Sequence, residues 1–234
     1  MKNIAFVSIG KESHYCANLL IKSIKKFNKI DKIIQISNQE DDKLQNVDFK
    51  IGYEFKKSTF MINRLESQIK TVEKFGPTIF LDSDMLVNCN LNDLDDKLSK
   101  NDLIFTKRRK NFYINDKFNN IYYPEFTNKT AYEVMPFNGG FLAANNLLAI
   151  KELLVMYKSL PERFKYWYGD QVAQNKIFNL QKYKILVLDN KYNFNVKNIN
   201  QFDKNICIFH FKGRFKVLIK PFFEKYLKEK NSNN

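Results

Sequence analysis

An α/β fold with a mostly parallel sheet, formed as a single domain, is predicted by three features of the sequence, the first for the sheet and the other two for the single domain. Strand-like and helix-like segments alternate through the first half, no internal repeat divides the chain, and 7 Gly and 5 Pro in 234 residues are too few for linkers or fibres. With 44% hydrophobic and 15% aromatic residues the chain can bury the core of one large domain. The expected division is a single domain over residues 1–216 and a basic amphipathic tail over 217–234.

The apolar run at 4–9 reads as a first strand. It is too short for a secretory segment and is followed by Lys11, Glu12, Ser13 and His14 without a small-residue cleavage site. Residues 15–27 place Leu19, Leu20, Ile24 and Phe27 at helical spacing with lysines opposite, and 32–37 reads as a second strand. A polar surface loop at 38–46 precedes a helix over 62–75, which Gly76 and Pro77 stop. The strand opening at Thr78 then ends in Asp82-Ser83-Asp84. Strand and helix alternating in this way predict ligand binding at the carboxyl ends of the strands.

After a strand at 102–106 come the basic run Lys107-Arg108-Arg109-Lys110 and residues 111–132, an aperiodic stretch that reads as a long functional loop or a poorly ordered one. Gly139 and Gly140 interrupt the apolar run 137–145 and mark a bend or a close approach by another group. Helices are expected at 147–160 and 169–180, strands at 184–188 and 205–210, and a basic helix at 217–230.

The net charge of +14 leaves nucleic acid, anionic lipid and phosphorylated substrates open as partners. Three cysteines without a Cys-x-x-Cys pairing read as reduced and cytosolic, and two histidines are too few for a zinc centre. No apolar stretch approaches membrane-spanning length, so membrane contact would be peripheral.

Asp82 and Asp84, one residue apart at a strand end, cannot share an apolar setting without a proton or a metal between them. A hard divalent cation completed by phosphate oxygens fits such a pair; Asp-Ser-Asp is equally good turn chemistry. His210 ends an apolar strand and is followed by Gly213 and Lys216. Imidazole, a glycine that admits close approach and a lysine charge suit a metal-diphosphate site, and a strand-end histidine can also be purely structural.

The ordered set Leu81-Asp82-Ser83-Asp84, Phe137-Asn138-Gly139-Gly140, Gly169-Asp170-Gln171-x-x-x-Asn175 and His210-x-x-Gly213-x-x-Lys216 resembles glycosyltransferase family 8, the family of glycogenin and bacterial lipopolysaccharide sugar transferases. The resemblance spans the chain up to Lys216. It implies the A-type glycosyltransferase fold and retaining transfer of a hexose from a UDP-sugar to an acceptor hydroxyl. Asp82, Asp84 and His210 would hold Mn²⁺ (or Mg²⁺), and Gly213 and Lys216 would meet the diphosphate. Tyr15 is similar to a tyrosine lying against uracil, Arg64 to a donor-contacting basic residue, and Ser83 to a ribose contact. Asn138 and Gly139 join the donor-binding set, and Asp170 and Gln171 would act beside the reacting sugar carbon. Val172, where many members carry an acid, and Gly139, where Ser or Ala is commoner, depart from the pattern.

The resemblance implies a glycan or lipid-linked acceptor, as in lipopolysaccharide synthesis, in a cytoplasmic protein with possible contact to the anionic inner membrane face. The tail alternates lysines with Leu218, Phe222, Phe223, Tyr226 and Leu227. That pattern suits either core packing or such an anionic surface. Two other readings are a sugar-phosphate nucleotidyltransferase, which lacks its glycine-rich N-terminal loop here, and a nucleic-acid-binding protein, which explains the charge but none of the motifs.

Overall fold

The computed structural model describes residues 3–114, 117–118, 121–122, 126, 128–165 and 168–228. In chain order the elements are β1 (Asn3–Val7), α1 (Gly10–Phe27), β2 (Lys32–Ser37), β3 (Phe49–Gly52), α2 (Phe60–Phe75), β4 (Thr78–Asp82), β5 (Met85–Val87), α3 (Asn92–Ser99) and β6 (Leu103–Lys107). There follow β7 (Lys117–Phe118), β8 (Ile121–Tyr122), α4 (Ala131–Val134), β9 (Phe137–Ala144), α5 (Leu147–Lys158), α6 (Gly169–Asn179), β10 (Ile185–Leu188), β11 (Phe194–Asn195), β12 (Ile208–His210) and α7 (Ile219–Phe222).

Seven strands form the central sheet in the order β10-β6-β9-β4-β1-β2-β3. All its pairings are parallel except those of β9, which runs antiparallel between β6 and β4. Side chains alternate between the two faces of a strand. Ala5, Phe80, Leu103, Phe105 and Leu142 therefore pack on one face with Leu65, Leu153 and Ile177 of the helices α2, α5 and α6. Ile4, Phe6, Ile79, Leu81, Ile104 and Phe141 pack on the other with Leu20 and Ile24 of α1 and with Leu94 and Leu98 of α3. The predicted α/β sheet flanked by helices is the observed one.

Several boundaries differ from the sequence expectation. α1 begins at Gly10, a full turn before Tyr15, and this brings Ser13 into the helix. The edge strand β3 and the helix α3 are additions. β3 is a half-exposed edge strand marked by the alternating Phe49 and Ile51, while α3 shows only Leu94 and Leu98 at i,i+4. The stretch 111–132 is partly built: Thr130 caps α4, its N–H and hydroxyl donating to Glu133 Oε2 at 2.7 and 2.8 Å. Residues 115–116, 119–120, 123–125 and 127 of that stretch lie outside the described residues.

The expected helix at 217–230 is instead 3-10 turns at Gly213–Leu218, the short α7 and a wide turn at Phe223–Lys228. Pro221 has no N–H to donate, so a continuous α-helical ladder cannot pass through it. Phe222 and Leu227 are fully buried with Leu19, Phe209 and Phe211. Residues 229–234 lie outside the described residues. Among the described residues no helix is long and apolar enough to cross a membrane.

Candidate metal centre and cleft

The apolar residues of β4 lie in the sheet between β1 and β9, so Asp82 is its first polar residue to emerge at the carboxyl end. The chain turns through Ser83 and Asp84 and re-enters as β5, which pairs antiparallel with β12 so that His210 faces Met85. The backbone N–H of Phe211 donates to the Asp84 carbonyl at 2.9 Å and closes this junction. Strand pairing thus carries His210 to the aspartates.

His210 Nε2 lies 3.1 Å from Asp84 Oδ1 and 3.5 Å from Asp82 Oδ2. The three side chains offer ligand atoms within 4.8 Å of one another, a grouping that can hold a metal ion. Two carboxylates and an imidazole suit a divalent first-row ion better than an all-oxygen calcium site. The other ring nitrogen is already engaged, with Nδ1 2.8 Å from Asn193 Oδ1, so Nε2 is the nitrogen presented to the carboxylates. The residues present therefore fit the ion.

Three cations, Arg64, Lys216 and Lys212, stand close to this triad, and a fourth, Arg108, stands by Gln171. Arg64 Nη2 donates to Asp82 Oδ1 at 2.8 Å and to the Gly139 carbonyl at 2.9 Å, and Nη1 is 4.0 Å from Asp170 Oδ2. Burial works against the Arg64 charge, yet Asp82, Asp170 and Asp84 outweigh it and raise its pKa. Lys216 Nζ lies 3.6 Å from Asp84 Oδ2. Burial opposes the Asp84 charge too, but His210, Lys216 and Lys212 hold its carboxyl below the usual range. Lys212 donates to Asn138 Oδ1, and burial lowers its pKa despite Asp82 nearby. Arg108 donates to Gln171 Oε1 and to the Met135 carbonyl, and burial lowers its pKa.

Asp170, only 5% exposed, is pushed up to about 6 by burial, an effect Arg64 only partly offsets. Its backbone neighbour Gln171 has its amide oxygen taken by Arg108, so its NH₂ group remains to meet a ligand in the cleft.

The glycine pair of β9 is explained by close approach. A Cβ on Gly140 would stand 2.6 Å from His210 Nδ1, and one on Gly139 would stand 2.6 Å from Asp170 Oδ2. β9 passes between the histidine and the buried acid, and only glycines leave room for both. Gly213 has φ +55°, a left-handed conformation that glycine adopts without strain.

These groups line a cleft of about 550 Å³ that includes Ser13, Arg64, the two aspartates, Ser83, both glycines, Asp170, Gln171, His210, Lys212, Gly213 and Lys216. Ser83 Oγ is 2.9 Å from Ser13 Oγ. Asn138 is buried beneath the cleft as the partner of Lys212. Tyr15 lies elsewhere: 45% exposed on α1, it lines a separate concavity of about 640 Å³ with Lys22, Lys43, Lys220 and Phe223. Asn175 donates to the Glu133 and Val134 carbonyls at 2.9 and 3.2 Å and ties α6 to α4.

Sequence reasoning missed Lys212, Arg108 and Asn193. Residue 212 follows His210 by two, and a two-residue step could have placed it on the histidine's side. Arg108 was visible only as part of a basic run. Asn193 had no distinguishing signal among the many asparagines near it.

Neither a protein-family model nor a curated protein sequence matches the chain. Among solved structures, the apo structure of WbbM, a bifunctional glycosyltransferase, superposes with a TM-score of 0.62 at 15% identity, over 98% of this chain and 50% of that one. The chain thus spans about half the length of WbbM. The galactosyltransferase LgtC, solved in complex with donor and acceptor sugar analogs, superposes with a TM-score of 0.55 at 16% identity, over 94% of this chain and 95% of that one. At these identities the likeness is one of fold, the A-type fold of glycosyltransferases.

Proposed function

We propose that this protein is a metal-dependent retaining glycosyltransferase of the family 8 type, moving a hexose from a UDP-sugar to an acceptor hydroxyl. The observation that carries the reading is the Asp82, Asp84 and His210 triad at the strand ends, beside Lys216 and Gly213, on a fold shared with glycosyltransferases. The family motifs and the metal-compatible geometry meet at the same residues.

In this reading Asp82, Asp84 and His210 would hold Mn²⁺ or Mg²⁺, and the ion would supply positive charge against the diphosphate. Lys216, beside Asp84, binds the diphosphate and stabilises the charge that grows on it. Arg64 holds Asp82 and the β9 backbone in place at the donor. The Asp170 carboxylate stabilises positive charge at the sugar carbon, and the Gln171 amide donates to a sugar oxygen. Ser83, with Ser13 beside it on the cleft wall, would contact the ribose. The acceptor is a glycan or lipid-linked glycan, as in lipopolysaccharide synthesis, reached at the cytoplasmic membrane face with help from the +14 charge.

The test is release of UDP from a panel of UDP-hexoses with Mn²⁺ and with chelator. Turnover should require the ion, and Asp84→Ala and His210→Ala should each lose well beyond tenfold with the fold retained. Full activity in excess chelator would sink the assignment. Pyrophosphate release from a nucleoside triphosphate would favour the nucleotidyltransferase reading instead.

A further inference from the structure

Behind the triad lies a buried polar chain whose hydrogen bonds can run in only one direction. Asn193 is fully buried, as is Thr106. One end of the Asn193 side chain is 3.1 Å from the Asn138 carbonyl and 3.0 Å from Thr106 Oγ1. A carbonyl only accepts, so the atom facing it is the amide nitrogen. The Thr106 hydroxyl in turn lies 3.3 Å from the same carbonyl and donates to it. The other end of the Asn193 amide is therefore oxygen, and it faces His210 Nδ1 at 2.8 Å. An amide oxygen has no proton to give, so Nδ1 must carry one. Turning the amide over would set oxygen against oxygen and leave buried groups unpaired, at a cost of about 1–3 kcal/mol for each.

We propose that Asn193 is a positioning residue that holds His210 as the Nδ1–H tautomer and so keeps the Nε2 lone pair aimed between Asp82 and Asp84 as a cation ligand. The proposal deepens the metal reading and rests on it for the role of Nε2. A neutral ring with its lone pair facing two carboxylates is an arrangement that a cation relieves. Gly140 adds to the constraint, since only the absence of a Cβ leaves room for the ring edge that carries Nδ1.

The chain has two histidines, so the ring ¹⁵N spectrum contains two patterns, and a His14→Gln variant assigns them. In cation-free wild type at alkaline pH, His210 should show a protonated Nδ1 and a bare Nε2. Asn193→Leu should lose that tautomer preference and bind Mn²⁺ alone tenfold to a hundredfold more weakly by electron paramagnetic resonance. Asn193→Asp keeps an acceptor for Nδ1 and should retain the Nδ1–H tautomer, at a cost in stability because its second oxygen faces the Asn138 carbonyl.

A wild-type ring protonated at Nε2 would overturn the proposal, as would an Asn193→Leu variant with unchanged tautomer and unchanged Mn²⁺ affinity. The wild-type spectrum decides the tautomer even if a variant does not fold. Nδ1–H in a wild type that binds no Mn²⁺ would refute the metal reading, and with it the ligand role of Nε2, while leaving the tautomer assignment standing.

Discussion

Lys216 and Asp170 share one cleft but touch different partners, and their variants should separate binding from chemistry. Lys216 meets Asp84, whereas Asp170 meets Arg64 and lies against Gly139. Lys216→Ala should weaken UDP and UDP-sugar alike, because the diphosphate is present in both. Asp170→Asn should leave UDP affinity within a few-fold and lower turnover about a hundredfold, as for an interaction made chiefly in the transition state. Calorimetry with UDP and steady-state kinetics measure the two. Asp170 also carries a pH signature. Its folded pKa of about 6 exceeds the ordinary 3.8, so between those values the folded protein keeps a proton that the unfolded chain has lost. Stability therefore falls as pH rises through this window and stays lower above it. Asp170→Asn removes the effect, so relative to wild type it should gain up to about 3 kcal/mol between pH 4 and pH 6.5, read from urea midpoints without metal. A difference that ignores pH would show that burial does not disfavour this carboxylate.

At the scale of one strand, β9 gives a sharper contrast, because its adjacent glycines face different functional groups. Gly140→Ala places a methyl against the His210 ring edge that Asn193 engages, so the ring must shift. Mn²⁺ affinity should fall tenfold or more. Gly139→Ala instead presses on Asp170 and Gln171, and should lower turnover while Mn²⁺ affinity stays within a few-fold. Metal titration and UDP release on the two variants distinguish the effects, and equal metal affinity in both would remove the close-packing account of the glycine pair. The pair was legible in sequence as a close approach, but not what approaches, since His210 and Asp170 lie far along the chain and arrive through separate elements.

Across the whole molecule, the tail belongs to the packed body as far as the described residues extend. Phe222 contacts Phe209 and Phe211, with ring centroids 4.9 and 5.2 Å apart, beside the strand that ends in His210. Phe222→Ala should cost about 3–5 kcal/mol through lost burial and a cavity. Lys225→Ala, which loses an exposed bond to Asn200 and an exposed contact over the Tyr226 ring, should stay within about 1 kcal/mol. Denaturant unfolding measures both, and an unchanged midpoint for Phe222→Ala would make the tail an appendage. Lys220 and Lys225 of the tail are exposed.

The sequence by itself determined the alternation of strand and helix, the Asp-x-Asp at a strand end and the His-x-x-Gly-x-x-Lys behind another strand. These are local signals: periodicity, helix stops and polar residues breaking apolar runs are set by neighbours a few residues apart. Only the tertiary structure decided that β9 enters antiparallel between β6 and β4, that β5 pairs with β12, and that Tyr15 lies in a different concavity from the metal triad. It also decided that Arg108 engages Gln171, that Asn193 engages His210, and that Lys212 lines the cleft beside its partner Asn138. Strand order and buried hydrogen-bond partners depend on contacts between distant segments. No local period encodes those contacts, because a buried asparagine or arginine looks in sequence like any exposed one until the fold surrounds it.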